Sequence, residues 1–175
     1  MSVRRREGSA LKILQDGRFK TQFEVGTSGG VFAPSYRAEC ELSGLGAPML
    51  LDPKLRPVYG YISGLDPYMA GSYGQIEFVL KESVKARATF TLGDSLADFQ
   101  NGHSVGTPVN RPGIGSMDGN VGVALAKSWD SLSYVEVQIH GGLRLVDVDH
   151  IVMHGYPNEA IREAARQAGI EVRSE

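Results

Sequence analysis

Cysteine is nearly absent: the chain of 175 residues has one, Cys40. A single thiol makes no internal disulfide and no thiolate metal cluster. No apolar run approaches the roughly 20 residues of a membrane-spanning helix. The apolar stretch at 11–14 is too short for the core of a signal peptide. Charge of one sign is lacking too: the formal net charge is -2, which gives no general drive toward nucleic acid or membrane. No P-loop, no GxGxxG after a strand, no HExxH and no GxSxG occurs. The expectation from these absences is a soluble chain able to work in a reducing compartment.

What is present is ordinary for a globular domain, with 42% apolar and 22% charged residues. Glycine is abundant at 22 residues, so tight turns and close backbone approaches are expected. The first 17 residues have no clear period and read as an N-terminal segment or linker, or as a short helix through 10–14. The run Val3-Arg4-Arg5-Arg6 reads as a solvated tail. Residues 18–175 read as a single domain.

Within that domain, 19–25 alternates loosely and is expected as a first strand, running into Gly26-Thr27-Ser28-Gly29-Gly30. Residues 35–41 read as a short helix with Cys40 as a packing residue, and 42–55 as loop. Residues 58–62, 75–80 and 87–92 read as strands, with a turn or short helix at 81–85. The Gly-, Pro-, Ser- and Asn-rich stretch 101–120 is expected as a long functional or mobile loop, and 121–127 is compatible with helix or strand. A strand around 149–153, a helix over 157–169 and a short terminal strand at 170–172 complete the reading. Many short strands with two or three helices predict an α+β fold with a mainly antiparallel sheet.

The most informative stretch is Tyr134-Val135-Glu136-Val137-Gln138-Ile139-His140-Gly141. Val135, Val137 and Ile139 alternate with a tyrosine, a carboxylate, an amide and an imidazole, the period of a strand with one buried face. Mixed chemistry in one row, ending at Gly141-Gly142, suits the floor of a cleft; a half-exposed strand is the plainer alternative. Glu136 is placed to act as a base or to stabilise a developing cation. Thr89 and Thr91, two apart, present hydroxyls on one face of another strand. Thr21, Gln22, Thr27 and Ser28 add hydrogen-bonding groups beside flexible backbone. Such a set suits holding a polar ligand around an oxocarbenium-like centre, as in glycosidic cleavage, where Glu77 or Asp94 would be a second carboxylate. Ser28 and Ser95 have no base beside them in sequence. His150 and His154, four apart, read as satisfied or solvent-facing histidines rather than as a metal site.

In order, these pieces resemble the ADP-ribosyltransferase superfamily, which carries an arginine or histidine on its first strand, a Ser-Thr-Ser type strand and a catalytic glutamate on a later strand. The middle element corresponds to Arg87-Ala88-Thr89-Phe90-Thr91 and the glutamate element to Tyr134-Val135-Glu136-Val137-Gln138-Ile139. The first corresponds less closely to the stretch from Arg18 through Thr21 and Gln22 to Thr27 and Ser28. The stretches 21–28, 56–60, 87–95 and 136–141 are also similar to an uncharacterised bacterial family whose members occur alone or as C-terminal toxin domains of polymorphic, Rhs-type effectors.

The resemblance implies a mainly antiparallel two-sheet fold with NAD, the substrate, held in the cleft between the sheets. It implies Glu136 as the catalytic group with Gln138 beside it. Arg18, Thr21, Gln22, Thr27, Ser28, Thr89, Thr91 and Tyr134 are the expected NAD-binding groups. Tyr134, Gln138 or the 101–120 loop would meet the acceptor, a protein or a nucleic acid. A toxin would act in the cytoplasm of a target cell after delivery by a secretion system as part of a larger effector, and an immunity protein would be a further partner. NAD hydrolysis without an acceptor and a non-catalytic ligand-binding module are the alternatives.

Overall fold

A computed structural model describes residues 1–27, 33–45, 51–63, 71–92, 94–96, 114–116 and 135–175. Strand β1 is Ser2–Arg5, followed by helices α1 (Glu7–Asp16), α2 (Gln22–Val25) and α3 (Pro34–Leu45). Then come β2 (Val58–Tyr61), β3 (Ile76–Leu80), β4 (Ala88–Leu92), β5 (Ile114–Ser116), β6 (Val135–Ile139), β7 (Val148–Met153), helix α4 (Glu159–Gln167) and β8 (Glu171–Ser174). Short 3-10 turns at Pro53–Leu55, Glu82–Arg87 and Leu145–Asp147 join them.

The described strands form one eight-stranded sheet in the order β5-β4-β6-β2-β1-β3-β7-β8. Every neighbouring pair is antiparallel except β7 with β8. The α+β, mainly antiparallel reading therefore holds. Two groups of four strands meet at β1 and β2, which are paired only at Ser2↔Tyr61. Gly60 makes that junction possible. A Cβ there would lie 2.5 Å from the carbonyl oxygen of Ser2 and 3.0 Å from Val3 Cγ2, so only glycine lets β1 cross so close.

One face of the sheet builds the apolar core. Val3, Val58, Ile76, Phe78, Phe90, Val135, Val137, Ile139, Ile151 and Met153 cluster there with Ala10, Ile13 and Leu14 of α1 and Ile161 and Ala165 of α4. Helix α4 starts at Asn158, whose side-chain oxygen accepts from Ile161 N at 3.1 Å, and ends before Gly169 at φ 70°. The pairing register turns the alternate residues to the opposite face: Thr89 and Thr91 of β4, Glu136 and Gln138 of β6, Tyr59 and Tyr61 of β2, Arg4 of β1 and Glu77 of β3.

Several expectations are corrected. The short helix expected through 10–14 is present as α1, and the first 17 residues hold more than that: they also supply a strand at the centre of the sheet. Arg4 is no solvated tail but 9% exposed. Residues 19–25 do not form a strand: Glu24 Oε2 accepts from Thr21 N at 3.0 Å and Glu24 N donates to the Thr21 carbonyl, which starts α2. Helix α3 runs past 41 to Leu45, and β5 forms inside the stretch expected as loop. The rest of 101–120, and all of 121–127, lie outside the described residues. No helix among the described residues is long and apolar enough to cross a membrane.

Arg4 and Glu77 share a buried cluster with His154 and Tyr61. Arg4 Nε donates to Tyr61 Oη at 2.9 Å, Arg4 Nη2 to Glu77 Oε2 at 3.2 Å, and His154 Nε2 lies 2.7 Å from Glu77 Oε2. Burial alone would raise the Glu77 carboxyl, but hydrogen bonds from Ser2, His154 and Tyr61 and the charge of Arg4 hold it down at about 2. A carboxyl depressed in the folded state stabilises the fold above its unfolded pKa, and that stability is lost as pH falls toward the folded value. The wild-type protein is therefore expected to lose on the order of 2–3 kcal/mol between pH 5 and pH 2 through this group. In Glu77→Gln that part of the loss is absent. Urea unfolding of both proteins across this range checks it; parallel stability curves would refute it.

Candidate active site

Glu136 is the second residue of β6, between Tyr61 of β2 and Thr91 of β4. Strand β6 is buried on both faces: its valines and isoleucine in the core, Glu136 at 3% and Gln138 at 1% exposure on the other side. That second burial is what a period of two cannot show. Helix α3 reaches this polar face with Arg37, Cys40 and Glu41.

The hydrogen bonds around Glu136 fix its orientation. Ser95 donates its hydroxyl to Glu136 Oε1 in a very short contact, and Gln138 Nε2 donates to the same oxygen at 2.9 Å. Gln138 Nε2 also donates to Thr91 Oγ1 at 3.0 Å, while Gln138 Oε1 accepts from Thr89 Oγ1 at 3.0 Å. Both sides of the amide are thus spoken for, and a flipped Gln138 would set its oxygen against the Glu136 carboxylate. Thr89 lies 3.0 Å from His140 Nε2, and burial depresses the His140 imidazole, which keeps it neutral near pH 7. Arg37 Nη1 donates to Ser95 Oγ at 2.9 Å and stands 3.8 Å from Glu136 Oε1.

Electrostatics at Glu136 are a contest. Burial pushes its carboxyl above the usual range; Arg37 opposes this, Asp94 adds to it, and the hydrogen bonds of Ser95 and Gln138 oppose it. Arg37 in turn stacks its guanidinium 4.2 Å from the centre of the Tyr59 ring, and its Nε is buried with no hydrogen-bond partner. Tyr59 Oη donates to Glu41 Oε1 at 2.9 Å, and Arg56 Nη1 donates to Glu41 Oε2 at 2.6 Å. Arg56 lies 4.0 Å over the ring of Phe23 on α2. A buried line of alternating charge therefore runs from Glu136 through Arg37 and Glu41 to Arg56. A gap beside it, too tight to admit a water molecule, is lined by Cys40, Glu41, Leu45, Tyr59, Ser95 and Gln138. Cys40 is a packing residue as expected: its thiol is pushed up to about 11 by burial.

Of the residues singled out in the sequence, the structure brings Glu136, Gln138, Thr89 and Thr91 together. It sets Arg18, Thr21, Gln22 and Thr27 around α2. There Arg18 is ion-paired with Glu24 at 2.7 Å, Thr21 Oγ1 donates to the carbonyl of Pro53 at 2.8 Å, and Thr27 is exposed. Gln22 Nε2 is buried without a partner. Ser28 and Tyr134 lie outside the described residues. Arg37, Tyr59 and Ser95 were not expected at the site. The i, i+4 pair of Arg37 and Glu41 on the same helix face was the available signal. His150 and His154 are hydrogen-bonded to Asp149 and Glu77, and no described group of three metal-ligating side chains exists.

The chain is 30% identical over 181 residues to the Gene 2 protein of Mycobacterium phage L5, covering 90% of this chain and 66% of that protein. It is 28% identical over 176 residues to the Gene 2 protein of Mycobacterium phage D29, covering 91% of this chain and 66% of that protein. The chain thus spans about two thirds of the length of these relatives. Residues 3–108, which carry Arg4, Arg37, Glu41, Tyr59, Thr89, Thr91 and Ser95, match the family described as "Protein of unknown function (DUF3626)". With more than half of its length matched, the chain belongs to the DUF3626 family.

Proposed function

We propose that this chain is an NAD-dependent ADP-ribosyltransferase that modifies a macromolecule, as an effector acting inside a target cell. The observation that carries the reading is Glu136: a buried carboxylate on β6, held by Ser95 and Gln138, with Thr91 and Thr89 of the neighbouring strand bonded through Gln138. Two further features support it. The first strand carries a buried arginine, Arg4, on the same face. The strands form one sheet, but its two four-stranded groups meet at one residue pair, a thin join compatible with the two-sheet arrangement of that superfamily.

The substrate supplies a glycosidic bond between ribose and nicotinamide. Glu136 is placed to stabilise positive charge developing on the ribose as that bond breaks, and Gln138 and Ser95 keep its oxygen aimed. The unpartnered Nε of Arg37 is a buried donor available to a polar oxygen of the bound dinucleotide. Nicotinamide leaves, the acceptor's nucleophile bonds to the ribose carbon, and its proton passes to Glu136 or to water. Kinship with two mycobacteriophage proteins fits a target inside a bacterial cell.

The test is incubation of the purified chain with NAD labelled in the adenylate part and a bacterial lysate, followed by protease or nuclease. Label retained on a macromolecule is expected, and the treatment that releases it names the acceptor class. Free ADP-ribose made at full rate without any macromolecule would replace transfer with hydrolysis. No nicotinamide release at all would leave a ligand-binding module.

A further inference from the structure

We infer that Arg37 of α3 is the positioning residue that keeps Glu136 a carboxylate, and that Ser95 carries this control through a hydrogen bond of fixed direction. The inference rests on the reading of Glu136 as the group that acts on substrate.

The direction follows from donor chemistry. A guanidinium has five N–H donors and no acceptor. Ser95 Oγ lies 2.9 Å from Arg37 Nη1, so the serine oxygen accepts there. Its own hydrogen is then left for Glu136 Oε1, with which it is in short contact. The arrangement Arg37→Ser95→Glu136 reads one way only. A serine accepting from a guanidinium is also a poor nucleophile, which makes Ser95 a support for the carboxylate rather than an attacking group.

The need for such a support follows from burial. Glu136 is 3% exposed, and a carboxyl out of water takes up a proton unless charge and donors oppose it. The described groups that face it are Arg37 and Cys40 from α3, Thr91 from β4, Asp94 and Ser95 just beyond that strand, Gln138 from β6, and Tyr59 and Tyr61 from β2. Asp94 pushes Glu136 toward the neutral form, and Arg37 is the cation paired with it at 3.8 Å. Arg37 is itself held at its post by the Tyr59 ring 4.2 Å away and is nearly buried. Helix α3 thus brings to the glutamate strand the charge that a buried carboxylate requires.

The experiment compares wild type, Arg37→Gln, Arg37→Lys and Ser95→Ala, each with glutamate carboxyls labelled with carbon-13. The Glu136 signal is assigned by its loss in Glu136→Gln, and the carboxyl is titrated by difference infrared spectroscopy without any NAD. In Arg37→Gln the midpoint is expected to rise by about 1–3 pH units, the usual effect of losing a close opposite charge. Arg37→Lys holds it near the wild-type value, and Ser95→Ala raises it by less than Arg37→Gln does. The acid limb of the NAD-cleavage pH profile moves by the same amount, so activity lost at neutral pH returns at higher pH. A midpoint that stays in place in both Arg37→Gln and Ser95→Ala overturns the inference. If Arg37→Gln does not fold, the shift in Ser95→Ala decides alone. If the midpoint moves but no protein cleaves NAD at any pH, the control by Arg37 stands and the transferase reading falls.

Discussion

Glu136→Gln is expected to leave a folded protein whose NAD cleavage is slower by about 10²–10³-fold, the usual cost of losing one aimed electrostatic group in a water-excluded site. The substitution changes one oxygen to nitrogen in a side chain that has no room to move. Its remaining carbonyl oxygen still accepts from Ser95, and the neutral amide no longer carries the desolvation that pushes the carboxyl's pKa up. What disappears is the charge available to a cationic ribose. Glu136→Ala is a poorer probe, because it strips Ser95, Gln138 and Arg37 of a shared partner and opens a hole in a buried polar network. Nicotinamide release measured beside circular dichroism gives the answer. A Gln variant that cleaves NAD within about threefold of wild type would remove Glu136 from the mechanism.

Arg56→Ala is expected to cost about 3–5 kcal/mol of stability, the range found when one partner of a buried ion pair is removed. Arg56 is 2% and Glu41 1% exposed, and their contact is 2.6 Å. Without Arg56, Glu41 keeps Tyr59 as a donor and the more distant charge of Arg37, but stays buried without its direct ion-pair partner. Burial already raises the Glu41 carboxyl, and Arg56 opposes that rise. Losing Arg56 raises it further. A group whose pKa is raised in the folded state destabilises the fold as pH climbs through that value. The defect is therefore larger at pH 8 than at pH 5. Adding Glu41→Gln to Arg56→Ala should recover part of the loss, since the buried charge is gone. Urea unfolding midpoints of the single and double variants at both pH values provide the check. A cost under about 1 kcal/mol for Arg56→Ala would mean that the pair does not hold α3 against the sheet.

These two predictions mark where sequence patterning informs and where it stops. Val135, Val137 and Ile139 announced β6 because a buried face alternates with period two. Ile76, Phe78 and Leu80 did the same for β3, and Asn158 with Gly169 bracketed α4. Glu136, Gln138, Thr89 and Thr91 were legible as one polar face because cross-strand neighbours share the pleat. Strand β1 was hidden by its arginines, since a charge run reads as solvated until a partner such as Glu77 is found 73 residues away. Helix α2 was legible in principle through Thr21 and Glu24, but the loose alternation over 19–25 outweighed a two-residue cap. Arg37 and Ser95 escaped because nothing local distinguishes them: their roles come from α3 lying over β6, a contact between segments about 100 and 41 residues apart.

The central position of β1 also dictates an order of events during folding. Ser2–Arg5 leaves the ribosome before either neighbour exists: Tyr61, which Arg4 meets, follows 57 residues later and Glu77 follows 73 later. Until then the strand has no ladder to join and its arginine no carboxylate to neutralise it. Contacts of such wide sequence separation bring large loop-closure costs, and they slow the barrier-crossing step. The joins that hold β2 and β3 in their groups are no more local, with Tyr61 facing Glu136 and Ile76 facing Met153, and the two groups become a single sheet only when β1 is seated between β2 and β3. Until β3 has been made, β1 therefore stays an incompletely paired, cationic segment, and closure of the sheet waits for strands far along the chain.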